Sequence, residues 1–276
     1  MNRRSLNVAS NHSESVAEII KAIERIPADS PATRLAAFTQ HVLATVLAVH
    51  KAAGRPVFLA LSDLVRFGFV PVDPNEPIEG MEMIEDTVRT YQLAVRKNPP
   101  FTDLLTPVHE HFASRRGMHL GQFFSTSSLA DGVAGFVPLP EDETVKVLDL
   151  CCGIGALSLA YLRRCLAAGI ALESIELLVQ DIDPTCAALT ALQLVTNQWL
   201  HFNPLGKIEV QVGCVLGTSE VTALRSIHRS RNPATILAPL RKQGADLVLA
   251  NPPFGNAAVV AWERAMNDLK LKPRKK

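Results

Sequence analysis

No run of this 276-residue sequence approaches the roughly 18 consecutive apolar residues of a membrane-spanning helix. Its opening, MNRRSLNVASNHSES, lacks the apolar centre of a signal peptide. These absences make the cytoplasm the expected compartment and exclude a membrane partner. Five cysteines (Cys151, Cys152, Cys165, Cys186, Cys214) include no CxxC pair, so neither a disulfide framework nor a zinc site is expected. They read as reduced, small, half-buried side chains. HEH at 109–111 lacks the HExxH spacing and reads as a solvated or capping group, and no metal is expected. A net charge of +1 creates no field that would recruit nucleic acid unaided, and the basic ending LKLKPRKK suits a solvated terminus as well as a phosphate contact. What is present, 47% hydrophobic and 20% charged residues, suffices for one large domain or for a core domain plus a smaller one.

Two rhythms divide the chain. Residues 13–117 carry helical periodicity: Ser13 is placed to cap a helix with Val16, Ile19, Ile20, Ile23 and Ile26 on one face, stopped by Pro27. A second helix has Ser30 as N-cap, Pro31 at its first position and Gly54 as its stop. Further helices are expected near 57–67, 81–97 and 101–116. From about residue 144, short apolar runs alternate with helical stretches. VKVLDL (145–150), IELLVQD (175–181), KIEVQVG (207–213) and ADLVLAN (245–251) read as strands buried on both faces, with crossover helices in 155–169 and 184–202. The alternation predicts an α/β fold with a parallel, doubly wound sheet, whose ligands bind at the carboxyl ends of the strands.

VLDLCCGIGALSLA (147–160) is a strand, a tight turn at Gly153 and Gly155, and a helix start, where backbone amides and the helix N-terminus favour a ligand. Ser158 stands where a dinucleotide fingerprint requires Gly or Ala, so the spacing is G-x-G alone, and a merely structural turn is the competing reading. Asp149, at the strand end, is suited to an ammonium group or a water near the ligand. Asp181 ends the second strand, placed to accept both hydroxyls of a ribose, while Asp183 caps the next helix with Pro184 at its first position. S-adenosylmethionine has both an amino-acid end and a ribose.

NPPF (251–254) follows the fourth apolar run. Pro252 pushes Asn251 out of the helical region, and two prolines fix φ, so Asn251 and Phe254 are held in place before a ligand arrives. A proline-rich loop ending a strand is the plainer reading. The turn suits alkylation of an amino nitrogen whose lone pair is delocalised into a ring or carbonyl. The Asn251 carboxamide oxygen and the Pro252 carbonyl can each accept one N–H and localise that lone pair, while Phe254 stacks on the flat group. Trp199 and Trp262 read as packing residues, and RSIHRSRNP (225–233) as a basic loop, solvated or against a DNA backbone.

VLDLCCGIG, VQDIDPTC and NPPF, in this order, resemble the successive motifs of S-adenosylmethionine-dependent amino-methyltransferases. The stretch 100–137, containing GQFFST, is similar to the segment ahead of the cofactor domain in DNA N(6)-adenine methyltransferases of the type I modification-subunit kind, in the gamma-like order. The resemblance implies a Rossmann-like methyltransferase domain over 118–276 behind an N-terminal helical domain, 1–117. It implies a cofactor site of Gln122, Phe123, Phe124, Ser125, Thr126, Asp149, Cys151, Gly153, Gly155, Asp181, Ile182, Cys214 and Asn251. Catalysis would fall to Asn251, Pro252, Pro253 and Phe254, acting on an adenine flipped from DNA, with S-adenosylhomocysteine as product.

The sequence departs from that family's pattern in three places. The proline usual after F-F-T is absent, the chain reading Phe124, Ser125, Thr126, Ser127, and Cys214 stands where an aspartate usually meets the cofactor's adenine, a loss of roughly 1 to 2 kcal/mol of affinity. Only residues 255–276 follow Phe254, so the sheet is expected to be truncated after the fourth strand. That strand's bare edge would call for cover by the N-terminal helices, a homodimer partner or a specificity subunit, unless the chain is a fragment. A non-catalytic subunit that binds cofactor or a partner, and a methyltransferase acting on RNA or protein glutamine, are the alternatives to an active enzyme.

Overall fold

A computed structural model describes residues 3–52, 80–112, 125–141, 144–212, 222–228 and 245–250. The helical half begins with α1 (Arg3–Glu24) and α2 (Pro31–Ala52), followed by α3 (Met81–Lys97) and α4 (Leu105–Phe112). Helix α1 starts ten residues before the expected cap: nothing between Arg3 and Ser13 breaks a helix, so Ser13 lies inside it. Helix α2 starts as expected, with the Ser30 hydroxyl accepting the Thr33 amide at 3.1 Å. Helix α3 spans the expected residues, whereas α4 begins at Leu105 rather than 101. Phe101 has a φ of 58°, which the preceding Pro99 and Pro100 do not carry into a helix, and the Asp103 carboxylate accepts the Thr106 amide at 3.1 Å. Gly54 and the helix expected at 57–67 lie outside the described residues.

After α5 (Ser127–Phe136) the α/β half runs β1 (Val145–Leu150), α6 (Ala156–Ala167), β2 (Ile175–Asp181), α7 (Pro184–Leu200), β3 (Lys207–Val212), β4 (Thr222–His228) and β5 (Leu247–Ala250). The sheet order is β4-β3-β2-β1-β5. Strands β3, β2, β1 and β5 are mutually parallel, so their carboxyl ends share one sheet edge. Strand β4 runs antiparallel to β3, with Lys207 opposite His228 and Val212 opposite Thr222. It corrects two expectations: the described sheet has a fifth strand, and residues 225–228 of the supposed basic loop belong to it. Alternation explains why it was missed, because TALRSIH mixes polar and apolar residues and lacks the continuous apolar run of the parallel strands.

Strand β3 departs from the expectation of two apolar faces. Ile208 and Val210 join the core, but Lys207, Glu209 and Gln211 on the opposite face are buried too. Lys207 Nζ and Glu209 Oε2 form an ion pair at 2.8 Å, and Gln211 Nε2 donates to Glu209 Oε1 at 2.8 Å. Burial of these charges is tolerated only because they are paired.

Helix α7 is the centre of the molecule. It packs on β2 and β3 on one side and on α2 and α3 on the other. Nearly every residue from Cys186 to Leu200 is buried, including Thr190, Gln193, Thr196, Asn197 and Gln198, and Trp199 packs partly buried against the core as expected. One continuous apolar cluster runs from Ile19, Ile23 and Phe38 of the helical half through Leu189 and Leu192 to Val147, Val179 and Val210 of the sheet. Burial of this kind contributes about 25 cal/mol per Å² of apolar surface.

The carboxyl edge of β1 and β2 as a candidate cofactor site

Between β1 and α6 the chain turns in five residues, and three of them are left-handed: Cys151 (φ 60°), Gly153 (φ 55°) and Gly155 (φ 91°). The conformation costs glycine little, but a half-buried cysteine sustains it only because its surroundings hold it there, at a cost of order 1 kcal/mol. The turn is closed by the Gly155 amide on the Cys152 carbonyl (2.8 Å) and tied to β2 by the Cys152 amide on the Gln180 carbonyl (2.9 Å). A Cβ on Gly155 would lie 2.9 Å from Thr190 Cγ2, so the turn also needs glycine for its close approach to α7.

Asp149 is fully buried one residue before the end of β1. Its Oδ2 accepts the Ser158 hydroxyl at 2.5 Å, whereas Oδ1 is buried without a hydrogen-bond partner. Desolvation lifts its pKa from an ordinary 3.8 to about 7, against the pull of the Ser158 hydrogen bonds and with a smaller push from Asp181. A buried carboxylate oxygen of this kind calls for a donor, and an ammonium group supplies one. Ser158, which spoils the dinucleotide fingerprint, therefore has a role that the motif alone does not reveal: it holds one oxygen of Asp149 and leaves the other available.

Asp181 ends β2. Its Oδ2 accepts the Gly153 amide at 2.8 Å, and its Oδ1 accepts the Asp183 amide at 2.9 Å. The Gly153 amide therefore serves Asp181. A carboxylate has about four lone-pair positions, so Asp181 keeps acceptor capacity for a ribose hydroxyl beyond its backbone donors. Burial raises the Asp181 pKa to about 6, opposed by those backbone donors. Asp183 caps α7, accepting the Thr185 amide at 2.8 Å, with Pro184 at the first helical position as expected. Ile182, between the two acids, is over half exposed, an apolar side chain beside the polar edge.

Ser125 and Thr126 lead into α5, where Thr126 Oγ1 accepts the Leu129 amide at 3.4 Å. Arg164 anchors that helix to α6 by donating to the carbonyls of Ala134 and Val137, and Arg163 pairs with Asp131. Strand β5 runs in register with β1, Ala250 opposite Leu150. Gln122, Phe123, Phe124, Cys214 and the whole of Asn251, Pro252, Pro253 and Phe254, with Trp262, lie outside the described residues. The described edge brings together Asp149, Cys151, Gly153, Gly155, Asp181 and Ile182.

The histidine pair differs from expectation in one member. His109 is buried in α4, and burial lowers its pKa, so it is neutral packing rather than a solvated group. His111 stays near the surface, 3.1 Å from Glu24. No group of three or more metal-ligating side chains occurs among the described residues. No described helix is long and apolar enough to cross a membrane. Cys152, Cys165 and Cys186 are buried and outside any disulfide, and burial raises their thiol pKa values, so they remain protonated.

A family model described as N-6 DNA Methylase matches residues 100–275, well over half of the chain. No curated protein matches. Two methyltransferases are among the solved structures that resemble it. One is described as a class I S-adenosylmethionine-dependent methyltransferase from Listeria monocytogenes, with 14% identity and a TM-score of 0.40 over 88% of this chain and 60% of that one. The other is the methyltransferase subunit of a type I restriction-modification system from Streptococcus thermophilus, with 14% identity and a TM-score of 0.41 over 90% of this chain and 64% of that one. The chain thus spans less than two thirds of either protein's length.

Proposed function

The chain belongs to the N-6 DNA methylase family, and on that footing we propose that it binds S-adenosylmethionine at the β1–β2 edge and methylates the exocyclic amino group of adenine in DNA. The observation that carries the cofactor half of this reading is Asp149 Oδ1, fully buried beside the glycine turn and without a hydrogen-bond partner. Asp149 would take the ammonium of the methionine end, and its approach would lower the carboxyl pKa from about 7 and keep it ionised. Asp181, pre-set by two backbone donors, would take the ribose hydroxyls, and Ile182 would cover the adenine ring. Ser125 and Thr126, with Gln122, Phe123, Phe124 and Cys214, would complete the pocket.

When bound, the cofactor supplies an electrophilic methyl group on a sulfonium. In the proposed reaction Asn251 and Pro252 accept the two N–H bonds of a flipped adenine, Pro253 stiffens the turn and Phe254 stacks on the base. These contacts localise the nitrogen lone pair, which forms the new N–C bond as the S–C bond breaks. The extra proton then leaves the nitrogen for solvent. No general base of matched pKa is required before transfer. We assign the helical part before residue 118 to an N-terminal domain that packs on α7, and the rest to the methyltransferase domain. Sequence recognition falls to a specificity subunit or a homodimer partner, in the cytoplasm.

The test is transfer of labelled methyl from S-adenosylmethionine to unmethylated DNA, RNA and protein, with Asn251→Ala alongside. Transfer to DNA adenine by the wild type, lost in Asn251→Ala while cofactor still binds, is the expected result. Transfer that survives the substitution overturns the role of the turn. Cofactor binding without transfer to anything identifies a non-catalytic subunit, and transfer only to RNA or to glutamine replaces the substrate.

A further inference from the structure

Helix α7 reaches under the glycine turn with two side chains. Thr190 Oγ1 donates to the Gly153 carbonyl at 2.8 Å, and Gln193 Nε2 donates to the Ile154 carbonyl at 2.9 Å. Thr190 and Gln193 are both fully buried and lie three residues apart, hence on one face of the helix. Two successive carbonyls of the turn are thus drawn toward α7. Gly155 packs so closely on Thr190 that no Cβ fits between them.

Gln193 does more than hold the turn. Its Oε1 accepts the amides of Leu104 (3.0 Å) and Leu105 (3.2 Å), and its Nε2 also donates to Asp103 Oδ1 (3.0 Å). Two donors and two acceptor positions are all that a carboxamide has, and all are used. One side chain therefore joins the start of α4 to the glycine turn. Asn197, one turn along α7, makes a useful contrast. Its Oδ1 accepts the Phe101 amide at 2.6 Å and its Nδ2 donates to the Gln193 carbonyl, so it holds the same loop without touching the turn.

We propose that Thr190 and Gln193 are positioning residues for the cofactor site, setting the shape of the glycine turn from α7. The inference rests on the reading of this edge as the S-adenosylmethionine site. Removing either donor takes away a hydrogen bond that draws the turn toward α7 and lets the turn relax, and the cost appears in ligand affinity as well as in stability.

The experiment is calorimetric titration of the full-length protein with S-adenosylmethionine and S-adenosylhomocysteine, with thermal melts of the same samples. Thr190→Val, Gln193→Leu and Asn197→Ala are compared with the wild type, and Thr190→Ser is the conservative rescue. Thr190→Val and Gln193→Leu are expected to raise Kd roughly tenfold, the equivalent of one hydrogen bond. Asn197→Ala is expected to lower Tm but leave Kd within about twofold, and Thr190→Ser to restore wild-type affinity. Should Gln193→Leu fail to fold, the Thr190 pair alone decides. A wild type that binds while Thr190→Val binds equally well overturns this inference and leaves the cofactor reading intact. A folded wild type that binds neither ligand overturns both.

Discussion

Asp149→Asn separates what this carboxylate costs the fold from what it gives the ligand. In the ligand-free protein its pKa stands at about 7 against an ordinary 3.8, chiefly because it is fully buried. That displacement corresponds to at most about 4 kcal/mol of destabilisation once the group is charged in both folded and unfolded states. Because the folded value is the higher one, the contribution favours the fold below about pH 4 and is lost as pH rises through about 7. Asparagine has the same shape, can still accept from Ser158 and carries no charge. At pH 8 the ligand-free variant is therefore expected to be about 2 to 4 kcal/mol more stable than the wild type, with the gap less than half as large at pH 5 and closing below about pH 4. The Asp181 pKa is raised to about 6 chiefly by burial, which the substitution leaves in place, so its contribution largely cancels from the difference. Affinity for S-adenosylmethionine at pH 8 moves the other way, falling at least roughly tenfold with the lost charge-assisted hydrogen bond. Urea unfolding at pH 5 and pH 8, with calorimetric binding at pH 8, measures both. Equal stability at the two pH values would show that Asp149 carries no buried charge to relieve. Unchanged affinity would remove it from the cofactor site.

Three further outcomes follow from the same geometry. Gly155→Ala places a Cβ 2.9 Å from Thr190 Cγ2 at a φ of 91°, and is expected to destabilise by roughly 2 to 3 kcal/mol in chemical denaturation and to weaken cofactor binding; a neutral effect refutes the turn geometry. Glu209→Leu strands the buried Lys207 ammonium at a cost of about 3 to 5 kcal/mol, whereas adding Lys207→Met recovers most of it; an additive double-mutant cycle would refute the pairing. Arg164→Ala releases the carbonyls of Ala134 and Val137, so amide exchange in residues 127–136 should quicken roughly tenfold; unchanged protection would mean that α5 is held by its packing on α6 alone.

Much of the edge is legible in the chain because its signals are local. The apolar runs of β1, β2, β3 and β5, the glycines of the turn, Asp181 at a strand end and the Asp183–Pro184 cap each depend on a few neighbouring residues. Helix starts were less so. Nothing near Ser13 shows that α1 reaches back to Arg3, and the delayed start of α4 depends on Phe101 being held left-handed, with its amide on Asn197, 96 residues away. Strand β4 escaped because an antiparallel strand alternates and its pairing partner lies outside its own stretch. His109 looks like its neighbour His111 in sequence, and only packing makes one buried and the other a surface partner of Glu24.

Sequence alone determined the α/β order, the position of the glycine turn and the two acids at the ends of β1 and β2, because strand periodicity, turn chemistry and capping act over a few residues. The tertiary structure decided how those groups are tuned. It buried Asp149 with one oxygen on Ser158 and the other without a partner, gave both backbone donors of the edge to Asp181, and set Thr190 and Gln193 beneath the turn. One sequence cue to the last pair exists, a polar Thr190–Gln193–Asn197 series in an otherwise apolar helix. Its meaning depends on which atoms lie opposite once α7 is enclosed on all sides, and burial and distance between remote segments are properties of the packed chain.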